Sequence, residues 1–226
     1  YLVDHIIQEQ EEIDIYNEKA IEKGYTSYQS LMTGAGDFLM KDTNHDGHIT
    51  SDDRVVIANP EPNFFGGWNN AFTYKNITLS FLMQFSEGGE ALYSTVQNDM
   101  SAGIATSVGR EVFENTWAPW RRDAKYPRLV AGAYDYNIYN CDRYVFKTSY
   151  LRMKNIMLSY QLPAKLLKTF HATGASVYAV ATNLFTISNW PGLDPELTGS
   201  GITWMGSNSD PYPLSKTFSV GVKLQF

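Results

Sequence analysis

The 226-residue chain is long enough for one large domain or two small ones with a sizeable core. A formal net charge of -6, with Lys and Arg scattered singly or in pairs, excludes the basic stripe that a nucleic-acid partner needs, and the single Cys141 excludes both an internal disulfide framework and a cysteine zinc site. Aromatics make up 14% of the chain and charged residues only 19%, a balance that favours an all-β chain with aromatic-rich surfaces.

No run of about 18 consecutive apolar residues is present, so no membrane-spanning helix is predicted. The strands of a spanning barrel escape such a search, because lipid-facing and lumen-facing side chains alternate along them. Tyr1 opens without a basic stretch or an apolar core, so no signal peptide is read there. The expectation is that Tyr1 lies inside a longer polypeptide.

Residues 1–36 are polar and acidic. Ile13, Ile15, Ala20 and Ile21 fit a helical turn or two in a solvated loop. The segment DTNHDGHITSDD then places Asp42, Asn44 and Asp46 at loop positions 1, 3 and 5, with Gly47 at 6, His48 at 7, Thr50 at 9 and Asp53 at 12. This is EF-hand-type spacing: alternate oxygens point inward, Gly47 permits the sharp turn, and the carbonyl of His48 and the acid at the end close the shell. Ile49 is the apolar anchor. Asp53 stands where Glu is usual, and its shorter reach weakens bidentate closure, as in dockerin-type loops. The expected metal set is Asp42, Asn44, Asp46, His48, Thr50 and Asp53, holding a structural Ca2+ that pins an outer loop. His45 is expected to point outward and His48 to act through its carbonyl, and the alternative reading is a solvated acidic turn.

From Phe64 the period becomes two. Phe64, Trp68, Phe72 and Tyr74 alternate with Gly67, Asn69, Thr73 and Lys75. After a tight turn at Asn76, Ile77, Leu79, Phe81, Met83 and Phe85 alternate with Thr78, Ser80, Gln84 and Ser86, broken by Leu82. Alternation is lost from Glu87 to Asp142, a stretch whose length marks it as a functional or covering loop. In it Trp117, Trp120, Tyr126, Tyr134, Tyr136 and Tyr139 either stack on sugars and partners or pack the loop against itself.

Strand signal returns over residues 144–162, with a slip near Lys154 and Asn155 that predicts a β-bulge. Pro163 ends this strand and opens one or two helical turns, another strand covers 175–185, and a second Gly/Pro/Asp-rich loop runs to Pro213. Phe218, Val220, Val222, Leu224 and Phe226 alternate with Ser219, Gly221, Lys223 and Gln225 to the end.

These are about five strands of roughly the 9–11 residues that cross a bilayer when tilted, joined by alternately short and long connections. The fold class is therefore all-β, with residues 1–63 an extracellular loop region carrying the calcium loop at 42–53, and residues 64–226 transmembrane barrel strands and outer loops. With the Asn76 turn periplasmic, an odd number of strands leaves Phe226 on the periplasmic side. Because the smallest single-chain barrels have about 8 strands, the rest of the barrel must come from elsewhere. Scattered loop acids such as Glu87, Glu90, Asp99, Glu111 and Glu114 show no catalytic spacing, so no enzyme is predicted. A secreted, calcium-stabilised β-sandwich that binds carbohydrate is the competing reading, and a surface glycosidase ranks last.

The segments GDFLMKDTNHDGHITSDDRVVIANPEPNFFGGWNNAFTYKNITLSFLMQF, YLRMKNIMLSYQLP, VYAVATNLFTISNWPGLDPE and YPLSKTFSVGVKLQF resemble, in order, the SusC/RagA family pattern from about Gly36 to Phe226. The resemblance implies the C-terminal part of a plugged, 22-stranded-class, TonB-dependent barrel in a Gram-negative outer membrane. It further implies import of oligosaccharides or peptides, a SusD-like surface lipoprotein as lid, and contact with TonB through an N-terminal part carrying plug and TonB box. Neither plug nor TonB box is visible in this sequence. The implied partners are that lid, TonB, the rest of the barrel and plug, the substrate and outer-membrane lipid.

Overall fold

A computed structural model of the chain describes residues 1–100, 107–130, 136–167, 172–197, 207–208 and 212–226. In chain order the elements are β1 (Val3–Ile6), α1 (Gln10–Glu22), β2 (Phe38–Met40), β3 (Pro62–Tyr74), β4 (Ile77–Gly88), β5 (Glu90–Tyr93), α2 (Ser94–Met100), α3 (Arg110–Asn115), β6 (Val145–Lys147), β7 (Tyr150–Gln161), α4 (Ala164–Leu167), β8 (Gly174–Thr182), β9 (Thr186–Ser188), β10 (Ser207–Asn208) and β11 (Thr217–Gln225). They pack as two units, one of residues 1–60, 90–146 and 199–210, the other of 61–89, 147–198 and 211–226. Residues 90–146 gather with the first 60.

The first unit has a conventional core. Ile7, Ile13, Phe38, Leu39, Met40, Ile49, Met100, Val112, Tyr126 and Tyr144 are almost wholly buried together. The solvated loop with a turn or two expected over residues 1–36 is instead organised around α1, a full helix of 13 residues. Its start carries Glu11 and Glu12 in the first turn, with Glu12 Oε2 accepting from the Gln8 N–H at 3.1 Å, so negative charge sits where the helix dipole favours it. Its end is a Schellman motif. Gly24 takes φ 93°, its N–H reaches the Ile21 carbonyl at 2.9 Å, and the Tyr25 N–H reaches Ala20 at 3.0 Å.

The Glu87–Asp142 stretch also holds more regular structure than its composition predicts. β5, α2 and α3 lie in it, with Val96, Met100 and Val112 turned into the core. Its tie to the early residues is an ion pair on the buried Asp37. Arg128 Nε and Nη2 donate to the two oxygens of Asp37 at 2.6 and 2.8 Å, and Asn137 Nδ2 donates to the same carboxylate at 2.8 Å. Asp37 is fully buried, and this bidentate geometry compensates the loss of its hydration.

The second unit is an antiparallel sheet in the order β11-β8-β7-β4-β3, with β9 added on β7. Five long strands match the expected number. The β3–β4 hairpin turns in two residues, Lys75 and Asn76, with Lys75 rather than Asn76 in the left-handed region at φ 54°. Asn76 instead clamps the neighbouring strand, donating from Nδ2 to the Gln161 carbonyl and accepting the Gln161 N–H. The predicted bulge is present. Leu82 faces Asn155 and Met83 faces Met153, which leaves Lys154 as the extra residue. β8 breaks at Asn183 (φ 50°), and β9 resumes the pairing with β7.

Candidate functional site

The register of the sheet sorts its side chains into two faces. One cross-strand row reads Tyr74, Ile77, Tyr160, Val177, Val222, and the next reads Phe72, Leu79, Leu158, Ala179, Val220. Between them, on the opposite face, lies Thr73, Thr78, Ser159, Tyr178, Gly221. One face is thus apolar across all five long strands, while the other is dominated by hydroxyls, amides and small residues.

On this apolar face Phe218 is 73% exposed and Val220 80% exposed. Each large apolar side chain left in water forgoes roughly 1.5–3 kcal/mol of burial, so a whole face of them calls for an apolar medium. A sandwich would bury this face, whereas Phe218 and Val220 stand exposed. No helix among the described residues is long and apolar enough to cross a membrane, which leaves β-barrels untouched.

On the polar face a charged cluster joins strand to loop. Arg152 is only 2% exposed; it donates through Nε to Thr186 Oγ1 at 2.9 Å, through Nη1 to Glu196 at 2.6 Å, and through Nη2 to Asp194. Lys154 Nζ reaches both oxygens of Glu196, at 2.9 and 2.8 Å. This cluster straps Asp194 and Glu196 of the PGLDPE segment onto β7 beside the bulge. Sequence reading missed it, although an Arg in the inward phase of a strand and two acids in a Pro/Gly loop were a usable signal.

The acidic loop folds around its own backbone. The Asp42 carboxylate accepts from the N–H groups of His45 at 2.6 Å and Gly47 at 2.7 Å. Asn44 Oδ1 accepts from Asp46 N–H at 3.0 Å, and Asp46 Oδ1 accepts from His48 N–H at 2.8 Å. Asp53 is buried and ties the loop ends together, accepting from Thr43 N–H at 2.8 Å and Thr50 N–H at 2.9 Å. Burial acts to raise its pKa, but donors from Thr50, Thr43 and Asn44 outweigh that and hold it below the ordinary value of 3.8.

Thr50 Oγ1 caps the short turn Ser51–Asp53 by accepting from Asp52 N–H at 3.1 Å. The His48 ring faces the Ser27 carbonyl at 2.6 Å and stacks on Tyr25 at 4.7 Å, while Ile49 is buried in the core. Lys23 Nζ donates to the Asp46 carbonyl at 2.9 Å. Among the described residues, no three His, Cys, Asp or Glu side chains are gathered closely enough to hold a metal.

The loop aromatics divide. Tyr126 is buried, Tyr136 and Tyr139 pack edge-on at 5.0 Å, and Trp120 stands 84% exposed. Tyr134 lies outside the described residues.

No family model matches the chain. It is 31% identical over 222 residues to TonB-dependent receptor P3 of Formosa agariphila, covering 93% of this chain and 22% of that protein. It is 29% identical over 190 residues to TonB-dependent receptor SusC of Bacteroides thetaiotaomicron, covering 83% of this chain and 17% of that protein. In structure it is similar to the RagAB peptide importer in its 'open-open' state, with a TM-score of 0.64 at 21% identity over 84% of this chain and 21% of that one. This chain belongs to the SusC/RagA family of TonB-dependent receptors. It spans about a fifth of the length of the curated relatives it matches. SusC/RagA receptors are outer-membrane β-barrel proteins and not enzymes, and the antiparallel sheet of this chain matches their barrel.

Proposed function

We propose that this chain supplies C-terminal spanning strands and outer loops of a TonB-dependent importer of oligosaccharides or peptides, working with a SusD-like surface lipoprotein as lid. The observation that carries the reading is the apolar face continuous through all five long strands, with a polar face behind it. In this reading the apolar face meets outer-membrane lipid, the polar face lines the lumen, and the Lys75–Asn76 turn and Phe226 lie on the periplasmic side. Strands supplied by the rest of the polypeptide complete the barrel, since an open edge in lipid leaves backbone groups unpaired.

The test is isolation of the full-length receptor from outer membranes, with uptake of labelled oligosaccharides and peptides by cells with and without TonB. Co-purification of a surface lipoprotein and TonB-dependent uptake support the proposal. Uptake indifferent to deletion of the receptor overturns it.

For the acidic loop, calcium remains the reading that its donors support. Asp42, Asn44, Asp46, Thr50, Asp53 and the His48 carbonyl are all hard oxygen donors, the class calcium takes. Bound calcium would neutralise the clustered carboxylates and fix the loop. Thermal unfolding of the full receptor in calcium and in chelator checks this: a calcium-dependent rise that Asp42→Ala removes is expected, and an unchanged midpoint contradicts it.

A further inference from the structure

The sequence scatters its Lys and Arg residues, but the fold of the first unit gathers some of them. His5 on β1, Arg122 and Lys125 after the turn at residues 118–121, and Arg143 line one cavity of about 300 Å³. No acidic residue among those described is on its lining. Backbone contacts fix the three segments. The Lys125 N–H donates to the Asn115 carbonyl at 3.1 Å, and the Val3 N–H donates to Asp142 Oδ1 at 3.0 Å, which sets Arg143 beside β1.

These charges are only partly spent. Arg122 donates to Glu9 through Nη1, Lys125 reaches Glu111 at 3.5 Å, and the His5 ring meets Asp4 at 2.8 Å and also Glu12. Among the described residues Arg143 pairs with no carboxylate, and its Nη2 donates to the Asp4 carbonyl at 3.4 Å. The side chains of Glu9 and Glu111 are 59% and 63% exposed, and ion pairs so open to water contribute little. An incoming dianion can therefore share Arg122 and Lys125 with them at small cost. Both guanidinium groups keep N–H donors, and their planar fork fits the oxygens of a phosphate or sulfate. A cleft walled by one sign of charge also concentrates its field on the opposite sign.

We propose that this cavity binds a tetrahedral oxyanion, the phosphate or sulfate group of an ester, held by Arg122 and Arg143 and flanked by Lys125 and His5. A single cavity is not the stripe that a nucleic-acid backbone needs. The volume lies at the small end for ligand sites, which suits a compact anionic group. The ester belongs either to a lipid headgroup or to a soluble solute, and the site does not depend on which face of the sheet meets lipid.

The experiment labels the arginines of the full-length receptor in detergent with phenylglyoxal and reads the rate at each by peptide mass spectrometry. Sodium phosphate, sodium sulfate and sodium chloride are compared at equal ionic strength, so that screening is constant. Phosphate and sulfate are expected to slow labelling of Arg122 and Arg143 several-fold relative to chloride, and to leave Arg110 on α3, outside the cavity, unchanged. Lys125→Gln is expected to lose much of that protection. Labelling in phosphatidylcholine nanodiscs with and without lipid A, in chloride alone, separates the sources. Protection by lipid A assigns the site to a lipid headgroup, and protection by the free ions alone assigns it to a soluble ester. Equal labelling of Arg122 and Arg143 under all these conditions, slowing that Arg110 shares, or protection that Lys125→Gln leaves intact overturns the site.

Discussion

In the unit built on residues 1–60 and 90–146, Ile7, Ile13, Phe38, Met100 and Tyr144 turn inward to a shared core. In the sheet of β3, β4, β7, β8 and β11, side chains just as apolar, Phe72, Phe218 and Val220, turn outward. Both arrangements obey the same transfer free energy, and they differ in which medium receives the apolar surface. The first unit hides it from water in its own interior. In the proposed barrel the sheet presents it to hydrocarbon, and keeps hydroxyls and the Arg152 cluster on the opposite side. Charge pairs serve both units, since Arg128 on the buried Asp37 ties distant segments of the first together, whereas Arg152 straps a loop to a strand face in the second.

The largest expected effect breaks that strap. Arg152→Ala leaves Asp194 and Glu196 without their guanidinium and is expected to cost about 3–5 kcal/mol, the range for an uncompensated buried charge. Urea titration of the full receptor folded in vesicles measures it.

Next comes the contrast between neighbours on β11. Val220→Arg places a charge on the lipid face and is expected to cost roughly 2–4 kcal/mol, while Ser219→Arg one residue away is expected to cost much less, because its face is wet. Equal costs at the two positions would remove the distinction between the faces.

Acid sharpens the comparison in the first unit. Because Asp53 is held below 3.8 in the folded state, its contribution is present above its unfolded value and is lost as pH falls through the folded one. Acid unfolding of the 42–53 loop, followed by amide exchange at Thr43 and Thr50, is expected to shift toward neutral pH in Asp53→Asn.

The smallest effect is at His5. Burial acts to lower its pKa, but hydrogen bonds and charge from Glu12 and Asp4 outweigh it and leave the value above 6.5. Its stabilisation is therefore full below about 6.5 and is lost as pH rises through the folded value. With the ring partly exposed, His5→Gln is expected to cost less than about 1 kcal/mol at pH 6 and less still at pH 8, read from chemical unfolding at the two pH values.

The strands were legible because a two-residue period runs along them even where large apolar side chains stay exposed. Leu82, the break in β4, sits at the bulge opposite Asn155, and the slip near Lys154 marked the same place from the other strand. The helix α1 was less legible. Ile15 and Ile21 are exposed and blur the stripe formed by Ile13 and Ala20, although Gly24 after the run was a stop signal. Short α2 and α3 draw their stability from packing into the core, which local pattern does not report.

The pairing of Asp37 with Arg128, 91 residues apart, has no local signature at all. In the acidic loop the spacing predicted the apolar anchor Ile49, which is buried, and the turn at Gly47. It did not predict Lys23 reaching in to the Asp46 carbonyl, because that contact comes from the end of α1.

The central claim is that one face of the sheet meets lipid and the other meets water. Nitroxide labels placed one at a time from Thr217 to Gln225 in the full-length receptor in bilayers test it most directly, by comparing relaxation by oxygen, which concentrates in lipid, with relaxation by a water-soluble nickel complex. The account predicts strict alternation, with oxygen dominant at Phe218, Val220, Val222 and Leu224 and nickel dominant at Ser219, Gly221 and Lys223. Uniform access along the strand, or alternation in the opposite phase, would contradict it.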